Sequence, residues 1–378
     1  MMNLGIYIHL PYCIHRCVYC DFNAYALKTK QELTSYIIAL KKEILFYAQK
    51  ISNTKIVDTL YFGGGTPSLH SSEQIQELVN LLRTEFNVSP SLEITLEANP
   101  SSLSLEKLKA FKDTGINRLS LGVQTFHPQH LKTLERVHSA KQAEEAYRMA
   151  QEVGFKNINL DFIFGIPQQS LEEFKKDIGK AMDLNPTHIS TYNLTVDKAN
   201  PLFPNLPMDE LQRDMYEYVI QYLPSKGYEH YEVSAFSKPT FQCQHNLKYW
   251  KLKNYLGLGA GAYSYITSDD HPWGVHFKNS DPLKMYWEKV MNQGHAMEEE
   301  ENISIETVKK EYMITHLRLL EGIQFQDFED RFKESIIKSY GCKIDMLFKK
   351  GFLDSTQKML KLTSKGLVYL NQVLLEFV

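Results

Sequence analysis

The chain has 378 residues, 43% of them hydrophobic and 12% aromatic, and a net charge of −3. That length suits one large domain with an appendage, or two to three domains, and the composition is that of a well-packed globular enzyme. A near-neutral charge excludes a global field for nucleic acid or anionic lipid, no run approaches the ~18 apolar residues of a membrane span, and Met1-Met2-Asn3-Leu4-Gly5 lacks the basic and apolar regions of a signal peptide, so a cytoplasmic, reducing location is expected.

The first strand candidate is Leu4–His9, and it runs into Pro11-Tyr12-Cys13-Ile14-His15-Arg16-Cys17-Val18-Tyr19-Cys20-Asp21-Phe22. The spacing of Cys13, Cys17 and Cys20 is C-x3-C-x2-C. Three thiolates on a tight loop can hold three irons of a [4Fe–4S] cluster. The fourth iron then has no protein ligand, and an open metal position is what a reactive site needs. A disulfide framework does not fit five cysteines in a chain of 378 residues. A structural zinc site would need a second C-x2-C or H-x3-H pair, which the sequence lacks.

Five more short apolar strand candidates follow: Val57–Phe62, Leu92–Leu96, Arg118–Leu121, Asn157–Phe162 and Thr187–Asn193. Between the strands lie helical patterns at Gln31–Gln49, Ser71–Phe86, Leu105–Thr114, Ser139–Val153 and Leu171–Leu184. Ser71 and Ser104 stand where hydroxyl N-caps belong, and Gly115 and Gly154 where C-caps belong. Alternation of this kind predicts a parallel sheet, and six units fit a partial TIM-type (β/α)6 barrel. Active sites of such barrels lie at the C-terminal ends of the strands, which puts the cysteine loop on that rim.

Residues 1–200 are thus expected to form the barrel. Residues 201–303 read as a barrel extension: prolines 201, 204 and 207, a helix from Asp209 to about Lys226, and a Gly-rich stretch Tyr255–Ser264. That stretch is not G-x-G-x-x-G and reads as a close-packed strand and turn beside the barrel mouth. The run Glu298–Glu301 reads as a solvated loop. Residues 304–378 read as three helices, a hairpin and a last helix at Ser364–Leu375, a smaller, mainly helical, winged-helix-like domain. Cys342 in it reads as a buried small hydrophobe. His127 and His130 lack an evident carboxylate partner and read as surface histidines.

The cysteine loop and the residues at the strand ends resemble the radical S-adenosylmethionine (SAM) superfamily. Within it, residues 5–265 are similar to the oxygen-independent coproporphyrinogen III dehydrogenase group and its haem-chaperone relatives. The resemblance implies that SAM's methionine moiety chelates the open iron and that an electron from the cluster breaks a carbon–sulfur bond. It also implies roles for individual residues. Tyr7 would lie beside SAM and Tyr19 against its adenine. The run Gly63-Gly64-Gly65-Thr66-Pro67 would receive the methionine end, and Glu97 the ribose hydroxyls. Gln124, Arg136 and Asp161 would line the SAM and substrate region, with Arg136 paired to Asp161 or to the SAM carboxylate.

Two departures separate the chain from the dehydrogenase. That branch carries a further cysteine where this chain has Phe22, and a long arm where this chain has twelve residues before Cys13. The Cys20-Asp21-Phe22-Asn23 run and the H-N-x-x-Y-W run beginning at His245 resemble the haem-chaperone branch. The resemblance therefore implies a haem chaperone with a [4Fe–4S] cluster, SAM and haem as cofactors. Its expected partners are an unidentified haem-acceptor protein and an electron donor for the cluster; a homodimer is compatible, nucleic acid is not. His245 would contribute to haem binding, with Cys243 a weaker candidate, although a His–Asn pair holding a loop against the barrel explains the run as well. The alternative is radical-SAM decarboxylation of coproporphyrinogen III. A winged-helix, cluster-sensing DNA regulator is least favoured, because it calls for a basic surface.

Overall fold

The computed structural model describes residues 2–52 and 54–378. Six parallel strands form its centre: β1 (Met2–Leu10), β2 (Lys55–Gly64), β3 (Val88–Ala98), β4 (Arg118–Gln124), β5 (Asn157–Phe164) and β6 (His188–Asn193). They are hydrogen-bonded in chain order. The helices packed around them are α1 (Lys30–Ile51), α2 (Ser72–Glu85), α3 (Leu105–Asp113), α4 (Pro128–Thr133), α5 (Ala140–Val153) and α6 (Leu171–Leu184).

Local chemistry explains these elements. On β1, Leu4, Ile6, Ile8 and Leu10 are all fully buried in one core with Leu33, Ile37, Leu40 and Ile44 of α1. Each such side chain contributes roughly 1.5–3 kcal/mol on leaving water. Ser71, Ser104, Ser139 and Ser170 each accept a hydrogen bond from the third backbone N–H of the helix that follows. Gly154 closes α5 at φ +91°, a left-handed cap that favours glycine. The six-residue α4 was not anticipated, because it is too short to show a 3.6-residue period.

The sheet does not stop at β6. It continues through α7 (Asp209–Ser225), β7 (Glu229–Glu232), β8 (Ala235–Ser237), α8 (Gln244–Trp250), β9 (Tyr255–Leu258), β10 (Tyr263–Ile266), β11 (Val275–Asn279), α9 (Leu283–Gln293) and β12 (Met297–Asn302). The strand order is β12-β11-β10-β9-β1-β2-β3-β4-β5-β6-β8-β7. The Gly-rich strand β9 lies parallel to β1, so segments 1–200 and 201–303 share one sheet. Glu298–Glu301 is corrected from loop to edge strand: β12 pairs antiparallel with β11. Glu298, Glu300 and Glu301 are solvated as expected, but the backbone completes the ladder.

The C-terminal unit contains α10 (Ile305–His316), β13 (Ile323–Gln324), α11 (Phe325–Phe332), α12 (Ile336–Lys349), β14 (Leu353–Ser355), β15 (Met359–Leu362), α13 (Ser364–Val368) and α14 (Leu370–Leu375). Its three-stranded sheet and helices enclose a second core around Phe328, Phe332, Leu360, Val373 and Phe377. This is a winged-helix-like arrangement. The expected last helix is broken at Tyr369 into α13 and α14. Cys342 is corrected from buried to exposed, because it falls on the solvent face of α12. No described helix is long and apolar enough to cross a membrane.

Candidate functional site

The cysteine loop leaves the C-terminal end of β1 and is stitched to the neighbouring rim. The Gly65 N–H donates to the Leu10 carbonyl and the Thr66 N–H to the Tyr12 carbonyl, both at 2.9 Å, while the Tyr25 N–H donates to the Pro11 carbonyl at 2.8 Å. Asn23 secures the far end through its Nδ2, which donates to the Ala260 carbonyl at 3.1 Å and the Asp281 carbonyl at 3.3 Å. The Gly-rich turn after β9 therefore supports the loop. The turn stands beside the barrel mouth, as the sequence suggests, and the register of β9 against β1 adds which strand it follows.

Cys13, Cys17 and Cys20 are free thiols, all partly exposed, and all three face one cavity of about 420 Å³. Thr66 Oγ1 donates to the Cys13 sulfur at 3.3 Å, and Arg136 Nη1 approaches the Cys17 sulfur at 3.7 Å. Burial raises the pKa of Cys13 and Cys20, and a charge on any neighbouring thiol raises it further. Three crowded thiolates need a cationic centre, and metal binding would release their protons. The other two cysteines are elsewhere, Cys243 fully buried and Cys342 on α12. The donor set thus fits a cluster held by three cysteines with one open position.

The remaining cavity residues come from successive strand ends. Gly64 ends β2 and Gly65 follows it, and an added Cβ at Gly65 would lie 2.7 Å from Pro11 backbone atoms. Glu97 on β3 accepts from the Tyr61 hydroxyl at 2.8 Å and from the Gly64 N–H at 3.2 Å. Burial pushes its carboxyl up to about 7, opposed by the Tyr61 bond. At the end of β4 a bulge between Gly122 and Gln124 shifts the register, and Gln124 has φ +67°. Bulges of this kind re-aim a side chain at a rim. Arg136 Nη2 donates to the Gly122 carbonyl at 2.8 Å and its Nη1 to the Tyr19 hydroxyl at 3.4 Å, while its buried Nε has no partner.

Tyr19, Gly64, Gly65, Thr66, Glu97, Gln124, Arg136 and Asp161 all line the cavity with the three cysteines. Of the two partners expected for Arg136, Asp161 or the SAM carboxylate, the first is corrected. Asp161 instead accepts from Ser120 Oγ and Asn159 Nδ2, both at 2.8 Å, and burial raises its pKa. Tyr61, Ser120 and Tyr192 also line the cavity and were missed; Tyr61 sits two residues before the glycine run, the one local signal available.

Two expected residues lie outside the cavity. The Tyr7 hydroxyl bonds His9 Nδ1 at 3.0 Å, and His9 Nε2 reaches the Asn23 carbonyl at 2.8 Å. Tyr7 therefore braces the cysteine loop from behind. His245 is fully buried on α8, beneath the rings of Tyr61 and Tyr7. Its Nδ1 bonds Thr59 Oγ1 at 2.8 Å and its Nε2 the Tyr249 hydroxyl at 2.9 Å. The α8 N-terminus is held by Glu93 of β3, which accepts from the His245 N–H at 3.0 Å and the Gln244 N–H at 3.2 Å. Lys248 pairs with Asp58 at 2.6 Å. The H-N-x-x-Y-W run thus closes the N-terminal end of the barrel, where residues serve stability. Both ring nitrogens of His245 are engaged within the fold, the geometry of the second reading that the sequence offered, in which the run holds its segment against the barrel. Cys243 is likewise fully buried, its thiol pushed up to about 12 by burial.

A parallel barrel with an open three-thiolate site on its C-terminal rim defines a radical-SAM-type protein. Comparison agrees: residues 7–181 match the Radical SAM superfamily, and residues 304–369 match the HemN C-terminal domain. The chain is 35% identical to the Heme chaperone HemW of Haemophilus influenzae and to that of Escherichia coli, over 98% of this chain and 97% of each relative. It is 34% identical to the Heme chaperone HemW of Bacillus subtilis, over 97% of both chains. The chain belongs to the HemW family. In fold it matches the solved coproporphyrinogen III oxidase (HemN) from Escherichia coli with a TM-score of 0.86, at 24% identity, covering 100% of this chain and 90% of that one.

Proposed function

We propose that this chain binds haem and delivers it to an acceptor protein, while holding a [4Fe–4S] cluster on Cys13, Cys17 and Cys20 and SAM in the adjoining cavity. The observation that carries this reading is the character of the cavity mouth. Phe22, 65% exposed, stands on the rim where the dehydrogenase branch is expected to carry a further thiol. Ile163, Leu194 and Val137 continue an apolar wall suited to a large flat macrocycle. When bound, the cluster and SAM supply one-electron reduction and a cleavable carbon–sulfur bond, for which an electron donor is needed. The protein's own groups orient them. The Gly64 and Gly65 backbone admits the methionine end, Thr66 and Arg136 place donors beside the sulfurs, Tyr19 offers a face to adenine, and Glu97 accepts from the ribose hydroxyls.

The Glu97 role has a pH signature. With a pKa near 7, the carboxylate forms as pH rises through that value. A hydrogen bond to a charged acceptor exceeds one to a neutral acceptor by about 1 kcal/mol. SAM affinity should therefore rise roughly five- to tenfold from acid to alkaline conditions. Glu97→Gln should flatten that profile in anaerobic equilibrium dialysis, and an unchanged profile would remove Glu97 from the contact.

The functional test is an anaerobic haem titration of the cluster-loaded chain, followed at the Soret band, beside an incubation with coproporphyrinogen III, SAM and dithionite. Saturable haem binding without decarboxylated porphyrin supports the proposal. Protoporphyrinogen together with 5′-deoxyadenosine would make the chain a dehydrogenase. His245→Ala belongs in the same titration. It should lose about 2–3 kcal/mol of stability with two buried hydrogen bonds and a cavity, yet keep the haem affinity and spectrum. A folded variant with an altered Soret band would return His245 to the iron.

A further inference from the structure

Outside the cysteine loop, one cluster of ligating side chains among the described residues is unassigned. His127 caps the start of α4 and His130 lies one turn on, their ring centroids 4.5 Å apart. Glu173, in the first turn of α6, faces both imidazoles: its Oε1 is 3.4 Å from His127 Nε2 and its Oε2 is 3.4 Å from His130 Nε2. The expectation of surface histidines without a carboxylate is thereby corrected, for His130 is 3% exposed and Glu173 supplies the acid. A sequence separation of 43 residues hid that partner.

The spacing is informative. It is long for an N–H···O bond, whose usual length is about 2.9 Å. Tetrahedral zinc with bonds of about 2.0–2.1 Å separates neighbouring ligand atoms by about 3.3–3.4 Å, the distance that each imidazole keeps to one of the two carboxylate oxygens. One ligand atom from each of the three residues lies within 4.8 Å of the others. The carboxylate is also held in place: the Ser170 N–H and hydroxyl donate to Glu173 Oε2 at 2.9 and 2.8 Å. His127 is 39% and Glu173 29% exposed, which leaves water access for a fourth ligand.

We propose that His127, His130 and Glu173 form a divalent transition-metal site, of the zinc class, distinct from the cysteine loop. Two imidazoles and a carboxylate are a ligand set that zinc, cobalt(II) and nickel(II) accept. The ion would tie the segment after β4, which runs from Gln124 to Arg136, to the helix after β5. Neither Nδ1 atom has a partner to orient its ring, so the affinity is that of a three-ligand site without outer support.

The test is an anaerobic titration of the cluster-loaded chain with Zn²⁺ against a chromophoric chelator, repeated with Co²⁺ to read the ligands. The same titrations are run on the Cys13→Ser, Cys17→Ser, Cys20→Ser triple variant, which removes the competing thiols. Expected is one equivalent in both chains, with cobalt bands of nitrogen and oxygen ligation and no sulfur-to-cobalt charge transfer. His127→Gln with His130→Gln should weaken binding by more than about a hundredfold, since even outer-sphere losses reach 10–100-fold. Glu173→Gln, which retains an acceptor for the α6 cap, should weaken it by at least about tenfold and serves if the double variant fails to fold. Equal affinity in these variants, or cobalt bound through sulfur alone, overturns the site.

Discussion

Cys17→Ser should leave the chain folded and without its cluster. Iron and acid-labile sulfide fall to background, and the visible charge-transfer absorption disappears. Cys13→Ser and Cys20→Ser should give the same result. The effect is all-or-none because three ligands already leave one position open, and no spare thiol is near: Cys243 is buried with its backbone N–H on the Tyr231 hydroxyl, and Cys342 lies on α12. The folded chain loses little, since the thiols contribute only weak hydrogen bonds such as that from Thr66. Anaerobic reconstitution followed by iron and sulfide analysis, with circular dichroism beside it, checks both halves. A full cluster in any single variant would remove that cysteine from the ligand set.

Gly65→Ala should be the most damaging single methyl group in the site. Its Cβ would sit 2.7 Å from the Pro11 carbonyl carbon and oxygen and 2.8 Å from the Tyr12 carbonyl oxygen, all backbone atoms that no rotamer change can move. The strand end must shift, at about 1–3 kcal/mol. That shift displaces the segment that carries Cys13 and breaks the Thr66–Tyr12 stitch. SAM affinity should fall by at least tenfold, with slower cluster assembly, as equilibrium dialysis and reconstitution kinetics would read. Gly179→Ala is the control: nothing lies within 4 Å of the added atom in mid-α6, and the variant should gain about 0.5–1 kcal/mol. If Gly65→Ala matched that control, the close approach would not constrain the site.

The barrel was legible because each buried parallel strand writes itself as a short apolar run, and α2, α3, α5 and α6 each start on a serine. The cavity residues were legible for a related reason: Glu97 and Gln124 fall where an apolar run ends, and the fold turns strand ends into a rim, while Asp161 interrupts the apolar run of β5 three residues before its end. What stayed hidden depends on contacts between distant segments. His245 reads like a ligand along the chain, yet Thr59 and Glu93, far away in sequence, draw it under the barrel floor. Asp161 finds Ser120 of β4 and Asn159 of its own strand rather than Arg136, because residues two apart share one face of the sheet. The acidic run at Glu298–Glu301 carries no apolar alternation, so an edge strand solvated on both faces resembles a loop.

That edge strand has a consequence for self-association. β12 terminates the sheet with an unpaired backbone rail, the kind of template onto which a second copy could add by strand exchange or stacking. Glu298, Glu300 and Glu301 stand along it, all exposed. Two such rails brought together would confront carboxylate with carboxylate at strand spacing, a few ångströms apart, with only Glu298 paired, to Lys289, among the three. The rail is therefore a repellent one, and any stable pairing of two chains has to be built on another face.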